Sequence, residues 1–517
     1  MGPSPLTALS KCPQPRRLRV GVYADSRLQP RWIAEALARV AASDFADVVL
    51  VETGNGPAAS LGAAWQLYNA IDRRLFGADP SERVDLAAHL RRGAAGELDV
   101  AFALGALDDA ALDGVARYGV WRFCFGAEGL DDEAAAGVRE VARAEPLTGS
   151  GLKVRLSPGA PPRLAYQSWS RTYPFSVARN RDHLRKTGEF AERALRELHR
   201  SGHAWLQACR PLASRPKPRP LAGAEALRIG SRLLARGAEK LLGVEQWFLA
   251  FAFDRHGGPA VAPDLSGFTR VMPPRDRDWA DPFALEKNGR HYVFFEEVPF
   301  ATRKGHIAMI EVDRGGRWSA PVKVLERDYH LSYPFVFEHE GALFMIPESS
   351  RNRTVELWRC VEFPAKWRLE RRLLEGVRCV DATLHRSGER WWMFANCAAG
   401  ESRLFDDELC LFSAERLEGD WQPHARNPVK SDPRCSRPAG RLFVKNGNLY
   451  RPAQVCVPRY GAGLALHRVV KLTGQEYAER QVERIVPPAA SGLLGLHTMN
   501  RAGDLAVVDA FVRRRRI

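Results

Sequence analysis

"DPFALEKNGRHYVFFEE", residues 281–297, decides how the second half of this 517-residue chain is read. Two apolar segments flank Asn288–Gly289, the commonest two-residue signal for a β-hairpin. Four further stretches repeat the design: "YPFVFEHEGALFMIPES" from 333, "DATLHRSGERWWMFANC" from 381, "PAGRLFVKNGNLYRPAQ" from 438 and "LHTMNRAGDLAVVDAF" from 496. Each is a strand, a turn built around Gly and a second strand, and the starts lie 52, 48, 57 and 58 residues apart. Two more strand patterns fill each gap, as in "HIAMIEVD" and "WSAPVKVLE". Four strands per unit at a period of about 40–60 residues is the mark of a β-propeller. The fifth copy runs to the C-terminus without its outer pair. Two unassigned strands, "QWFLAFAFD" (246–254) and "GFTRVMPP" (267–274), precede the first copy and complete the count. Five blades closed by pairing the two ends are therefore predicted, which leaves no free sheet edge.

In a propeller the first strand of each blade lines the central channel, and the second runs back beside it. One rim then gathers first-strand starts and second-strand ends. The starts are Asp281, Tyr333, Asp381, Arg437 and His497, and the ends are Glu296, Glu348, Asn396, Gln454 and Asp509. All ten are polar, whereas the strands between them are apolar ("YVFF", "LFMI", "AVV"). A single Asp before Pro-Phe is usually a turn cap. Recurrence in five blades makes a ligand site at this rim the expectation.

The first half has a different rhythm. "RLRVGVYAD" (17–25), "ADVVLVETG" (46–54), "LDVAFALG" (98–105) and "VWRFCFG" (120–126) are short apolar runs separated by helical patterns, among them "QPRWIAEALARVAAS", a stretch over about 58–76 and "DDAALDGVARYG". Buried strands alternating with helices predict a parallel sheet covered on both faces. "GLKVRLS" and "PRLAYQS" predict an added antiparallel pair, and "ARNRDHLRKTGEFAERALRELHRSG" a helix. "ETGNGP" (52–57) is read as a plain strand-to-helix turn rather than an anion cradle. No G-x-G-x-x-G follows the first strand, so a dinucleotide fingerprint is absent. "CRPLASRPKPRPLAG" (209–223) is the best linker in the chain, and a helix follows it.

Composition narrows the class. The formal charge is +15, from 76 Lys+Arg against 61 Asp+Glu, which favours anionic partners such as phosphate groups, nucleotide sugars or a membrane surface. The charges are scattered, and the dense run Arg513–Arg516 is read as a solvated tail. Nucleic acid is not an expected partner. Nine widely spread cysteines without a CxxC pair predict neither a disulfide framework nor a structural zinc site, and fit a reducing cytoplasm. The first twenty residues lack a signal core, Leu6 stands where a myristoylation signal needs Ser or Thr, and no run reaches the ~18 apolar residues of a membrane span. No HExxH, EF-hand or Walker A motif is present, so neither a metal nor a cofactor is expected.

Two resemblances add to this reading. Strand order over residues 17–205 resembles the N-terminal domain of the formyltransferases, an α/β Rossmann-like fold. That family places an Asn and a His in an N-x-H step after the fourth strand. Here "VWRFCFGAEG" has neither, which implies a domain without formyl transfer. "WADPF", "SYPFVFEHEGALFMIPES", "VDATL" and "RPAGRLF" resemble the propeller domain of plant glucosamine inositolphosphorylceramide transferases and its bacterial two-domain relatives. That domain belongs with the five-bladed arabinanase, levansucrase and invertase propellers. The expected organisation is a formyltransferase-like domain at 17–205, a linker and helix at 206–244, and a five-bladed propeller at 245–517. Asp281 resembles the first-blade Asp of the furanosidase propellers, their nucleophile or base. Asp381 stands close to their third-blade acid. Tyr333 replaces their second-blade Asp, with Glu348 as the compensating acid. Glycosyl chemistry needs such paired carboxyl groups.

Asp281, Asp381 and Glu348 are therefore the catalytic candidates. Glu296, Tyr333, Asn396, Arg437, Gln454, His497 and Asp509 are the substrate-binding candidates, with Arg437 and His497 suited to phosphate. The leading expectation is a cytoplasmic glycosyltransferase of bacterial surface-glycan synthesis, using a sugar or nucleotide sugar and a lipid-linked or polysaccharide acceptor, with peripheral membrane contact. A furanosidase-type glycoside hydrolase and a non-catalytic glycan-binding propeller are the alternatives.

Overall fold

The structure is a computed structural model that describes residues 16–54, 62–77, 80–127, 129–212, 221–253 and 267–515. The N-terminal stretch read for targeting signals, the "NGP" of the 52–57 turn and most of the proline-rich linker lie outside the described residues. The chain divides into two compact units, Leu9–Gly237 with Ala399–Leu404, and Ala238–Ala398 with Phe405–Ile517. Strands far outnumber helices across the described residues.

The first unit is built on a seven-stranded sheet. Ala46–Thr53, Leu18–Ala24, Val100–Leu104 and Val120–Phe125 lie side by side in that order and run parallel. Leu147–Arg155, Arg163–Arg171 and the short Arg210–Pro211 continue it antiparallel. On one face, Val20, Val22, Phe102 and Trp121 pack against Trp32, Leu37 and Val40 of helix Arg31–Ala41 and Phe190, Leu195 and Leu198 of helix Glu189–Ala208. Tyr23, Ala101, Ala103 and Val120 form a second cluster with Leu98 and Leu112. Burial on both faces explains why these strands read as unbroken apolar runs. The helix predicted over "DDAALDGVARYG" is only a 3₁₀ turn, Asp109–Leu112. Gly114 and Gly119 both take positive φ and divert the chain before a second turn can form.

The second unit consists of five β-sheets. The first four blades begin with Arg277–Lys287, Ser332–His339, Cys379–Ser387 and Phe443–Lys445, each hydrogen-bonded outward to three successive strands. The third carries a further short strand, Lys430–Ser431. The fifth sheet joins the two ends of the unit in the order Thr269–Val271, Gly243–Phe253, Leu505–Arg515, Met499–Ala502. Gly243–Phe253 and Leu505–Arg515 pair antiparallel over eleven residues, so the ring closes as the repeat count requires. All five hairpin glycines, Gly289, Gly341, Gly388, Gly447 and Gly503, have positive φ. At Asn288–Gly289, Glu340–Gly341 and Asn446–Gly447 both turn residues do, the type I′ geometry that matches strand twist.

Two readings need correction. Arg513–Arg515 are not a loose tail: they are the end of the closing strand, opposite Glu245, Val244 and Gly243, and Arg513 also pairs with Glu245 at 3.2 Å. Strand propensity and a partner edge outweigh the charge run. The cysteines are not all free either. Cys379 and Cys397 face each other across the first two strands of blade three and are disulfide-bonded. Only the hairpin register reveals a pair 18 residues apart in sequence.

The fourth blade contains a fully buried ion pair. Glu479 accepts from Arg451 Nε and Nη2 at 2.8 and 2.7 Å and from Lys430 at 2.6 Å, and neither Glu479 nor Arg451 is exposed. Burial opposes the Glu479 charge, but Arg451 prevails and holds its carboxyl well below the usual range. Removing one member leaves the other buried and uncompensated. Arg451→Met is therefore expected to cost about 3–5 kcal/mol in chemical denaturation. A loss under about 1 kcal/mol would show that Lys430 alone suffices.

Candidate functional site

Three of the five first strands begin in the same distortion. The register slips by one residue between Ala280 and Phe283, between Ser332 and Phe335, and between Val380 and Thr383. Glu296, Glu348 and Asn396 sit opposite the residue just before the bulge in each case. Asp281, Tyr333 and Asp381 occupy the bulges with φ of 52, 43 and 56°, the left-handed region that non-glycine residues avoid. Each such residue costs on the order of 1–3 kcal/mol, and bulges of this kind re-aim side chains. The sequence repeat shows the positions but not this backbone conformation.

Asp281, His497 and Asp509 come together. Asp509 accepts the backbone N–H of Asp281, His497 and Thr498 at 2.9, 3.0 and 2.9 Å, and its Oδ2 lies 2.6 Å from His497 Nδ1. His497 Nε2 lies 3.7 Å from Asp281 Oδ1, which also accepts the Thr498 hydroxyl at 2.8 Å. Burial opposes a charged His497, but Asp509 and Asp281 outweigh it and raise its pKa to about 9. Burial is also the main cause that lifts Asp281 to about 8; the His497 charge pulls it back, while Glu296, Asp381 and Asp509 push it further up. The ligand atoms of Asp281, His497 and Asp509 lie within 4.8 Å of one another, close enough to share a cation. Here the Asp509 oxygens already accept from four hydrogen-bond donors, and the cluster is arranged as an ion-pair relay.

Asp381 faces a different partner. Arg437 Nε and Nη2 donate to its two oxygens at 2.5 and 3.3 Å, and Gln454 Nε2 adds a third contact at 2.9 Å. Burial raises the Asp381 pKa, against the pull of Arg437. Arg437 Nη1 donates to Phe405 O at 3.2 Å, and the guanidinium lies 5.0 Å above the Tyr460 ring. Three of its five N–H groups are thus placed.

Tyr333 is fully buried, and its hydroxyl is spent on Thr383 Oγ1 at 2.9 Å and the Gly440 N–H at 2.7 Å. It ties blades two, three and four together inside the channel, which leaves it no open hydroxyl for substrate. Glu296 accepts from His330 Nε2 at 2.9 Å, the tautomer being fixed because His330 Nδ1 accepts the Gly305 N–H. Burial opposes the His330 charge, and the Glu296 contact outweighs it and raises the pKa. Glu348 holds the Ser332 hydroxyl at 2.7 Å and both the N–H and hydroxyl of Ser350. Asn396 is fully buried, and both polar atoms of its side chain lack a hydrogen-bond partner.

Exposure ranks these groups. The Asp281 and Asp381 side chains are 5 and 1 % exposed, against 21 % for His330, 13 % for Arg437 and 11 % for Glu296. A ligand reaching the rim meets the last three first. Sequence reasoning missed Trp247, which stacks on His497 with ring centroids 4.1 Å apart, and Tyr460, edge-on to His497 at 5.1 Å. Trp247 sits in the closing strand opposite Phe511, two residues past Asp509. Extending the rim alignment to that strand would have found it.

The family described as "Glucosamine inositolphosphorylceramide transferase 1, N-terminal" matches residues 275–494. The protein named glucosamine inositolphosphorylceramide transferase 1 from Oryza sativa subsp. japonica is 34% identical over 216 residues, 41% of this chain and 29% of that protein. Its namesake from Arabidopsis thaliana is 32% identical over 206 residues, 39% of this chain and 27% of that protein. The chain thus spans under a third of the length of these curated relatives. Among solved structures, Zg3597, a family 117 glycoside hydrolase from Zobellia galactanivorans, aligns with a TM-score of 0.34 at 11% identity, over 52% of this chain and 91% of that one. The catalytic domain of the Coprinopsis cinerea GH62 alpha-L-arabinofuranosidase aligns with a TM-score of 0.36 at 11% identity, over 51% and 97%.

Proposed function

We propose that the propeller unit is a glycosyltransferase of surface-glycan synthesis, with its site at the Asp281 rim. It would join a sugar from a phosphate-bearing donor to a lipid-linked or polysaccharide acceptor. The family that matches 275–494 and the similar Oryza sativa protein are named as transferases, which supports the reaction class. One observation carries the residue roles: a buried carboxyl raised to about 8 next to a histidine raised to about 9, with an arginine nearby on the same rim. Asp281 is the general base. Its carboxylate takes the proton of the acceptor hydroxyl as that oxygen attacks the anomeric carbon, and the donor's phosphate leaves with the bonding pair. The charged His497 and the two unplaced N–H groups of Arg437 stabilise the leaving phosphate. Asp381 and Gln454 position Arg437, and Asp509 positions His497. Glu296, Glu348 and Asn396 bind sugar hydroxyls, against the aromatic faces of Trp247 and Tyr460.

The same proposal reads residues 17–205 as a degenerate formyltransferase-like Rossmann domain, 206–244 as linker and helix and 245–517 as the propeller. The parallel order of the first four strands supports the first assignment. The loop after Val120–Phe125 carries no Asn or His, so this domain has no formyl-transfer constellation.

The pH profile tests the role of Asp281. A base must be deprotonated, so activity should rise as pH passes about 8, and it should fall above about 9 as His497 loses its proton. The expected kcat/KM profile, with donors found by mass-spectrometric screening of nucleotide sugars, is a bell between those values. A rate that instead falls through pH 8 would make Asp281 an acid, as the glycoside-hydrolase alternative requires.

A further inference from the structure

Helix Ala63–Phe76 and the part of helix Gly223–Leu242 up to Gly237, both in the N-terminal unit, turn aliphatic side chains outward. On helix Ala63–Phe76, Leu67, Ile71 and Leu75 follow at four-residue intervals and are 65, 51 and 60 % exposed. On helix Gly223–Leu242, Leu227 and Leu234 lie two turns apart and are each 77 % exposed. Each helix already buries another face, Trp65 and Asp72 on the first, Ala226 and Ile229 on the second. Their first turns are held together: Trp65 packs in one cluster with Ala226 and Ile229, and its Nε1–H donates to Ala222 O at 3.2 Å. Among the described residues, Leu28 aside, every largely exposed leucine and isoleucine lies on these two helices. A helix facing water would carry polar residues at those positions.

The charges indicate what covers the stripes. The acids are withdrawn from the surface or used locally. Asp72 is buried and accepts the Ala178 N–H at 2.6 Å, Glu225 accepts the Ala222 N–H at 2.7 Å, and Glu239 near the far end of the second helix is engaged by Arg513 at 3.5 Å. Arg74 and Arg228, in contrast, are exposed. Leucines bordered by outward arginines, with the carboxylates tied down, are what an interfacial helix presents to a bilayer. Acyl chains accept the leucines, and anionic headgroups supply the counter-charge that the arginines need. No described helix is long and apolar enough to cross a membrane, so the contact would lie in the interface. We propose that these two leucine stripes of the N-terminal unit dock reversibly on membrane surfaces rich in anionic lipid. The leucine stripes share no residue with the Asp281 rim.

Vesicle sedimentation of the full chain tests it, with phosphatidylcholine vesicles with and without phosphatidylglycerol. The wild type should pellet with the anionic vesicles, at least ~10-fold less with phosphatidylcholine alone, and less as salt is raised. Ile71→Gln with Leu75→Gln, and separately Leu227→Gln with Leu234→Gln, should each reduce binding about 10-fold or more. Melting should be unchanged, because these side chains are more than half exposed. Arg74→Gln with Arg228→Gln should remove the preference for phosphatidylglycerol while keeping the fold. Asp281→Asn should bind vesicles like the wild type, which separates this result from any failure of the rim chemistry. No pelleting by the wild type, or undiminished pelleting by both leucine variants, would overturn the proposal. So would a dimer in light scattering that the leucine substitutions dissolve, since the face would then belong to a second copy of the chain.

Discussion

Asp281→Asn is expected to lower turnover by at least ~100-fold and to leave the melting temperature almost unchanged. The structure explains why the two effects separate. The residue sits at φ 52°, a conformation that Asn tolerates as well as Asp. Its backbone N–H still reaches Asp509, and an amide oxygen still accepts the Thr498 hydroxyl. Only the proton-accepting oxygen is lost. A mere turn cap would give full activity and a stability change of about 1 kcal/mol or less. Asp381→Asn provides the contrast, because it strips a buried arginine of its carboxylate, a change that typically costs about 3–5 kcal/mol. That variant should lose stability first. Equal stability and full activity in both variants would reduce the rim to a binding surface.

The largest structural effect is expected from removing the closing strand. A chain beginning at residue 276 lacks Gly243–Phe253 and Thr269–Val271, and with them eleven cross-strand pairs and the buried side chains of Phe248, Leu249 and Phe251. Leu505–Arg515 would keep only its short neighbour Met499–Ala502 and present an open edge. Such a chain should show no cooperative thermal transition, whereas deletion of residues 1–205 should leave one. A sharp melt of the shorter chain near the parent temperature would mean that four sheets suffice.

The propeller was legible because its evidence is periodic. Five hairpins with glycine turns, and a strand deficit at one end matched by a surplus at the other, leave little freedom. The rim positions followed from the same alignment. Their roles did not, because partner choice is set by side-chain reach across blades. Nothing in "DATL" says that Asp381 belongs to Arg437, 56 residues on, or that Tyr333 spends its hydroxyl on Thr383 and Gly440. The left-handed bulges were equally hidden, since Asp, Tyr and Asp share no obvious backbone preference. In the sequence Trp247 reads only as part of a closing strand, because the rim alignment stops at the five hairpins. Arg513–Arg515 read as a tail on charge alone, although they follow "LAVVDAFV" without any turn residue to end the strand.

The pairing of Gly243–Phe253 with Leu505–Arg515 also sets the order of events during synthesis. A ribosome delivers the first of these strands more than 250 residues before the second. Until Leu505–Arg515 has been read and has cleared the exit tunnel, the nascent ring cannot close. The first four sheets can form in sequence as they emerge, but the waiting strand keeps an exposed edge throughout. Completion therefore waits for the second strand, and a message that stalls or ends before it yields an open ring with a free edge, a ready substrate for chaperones and proteases.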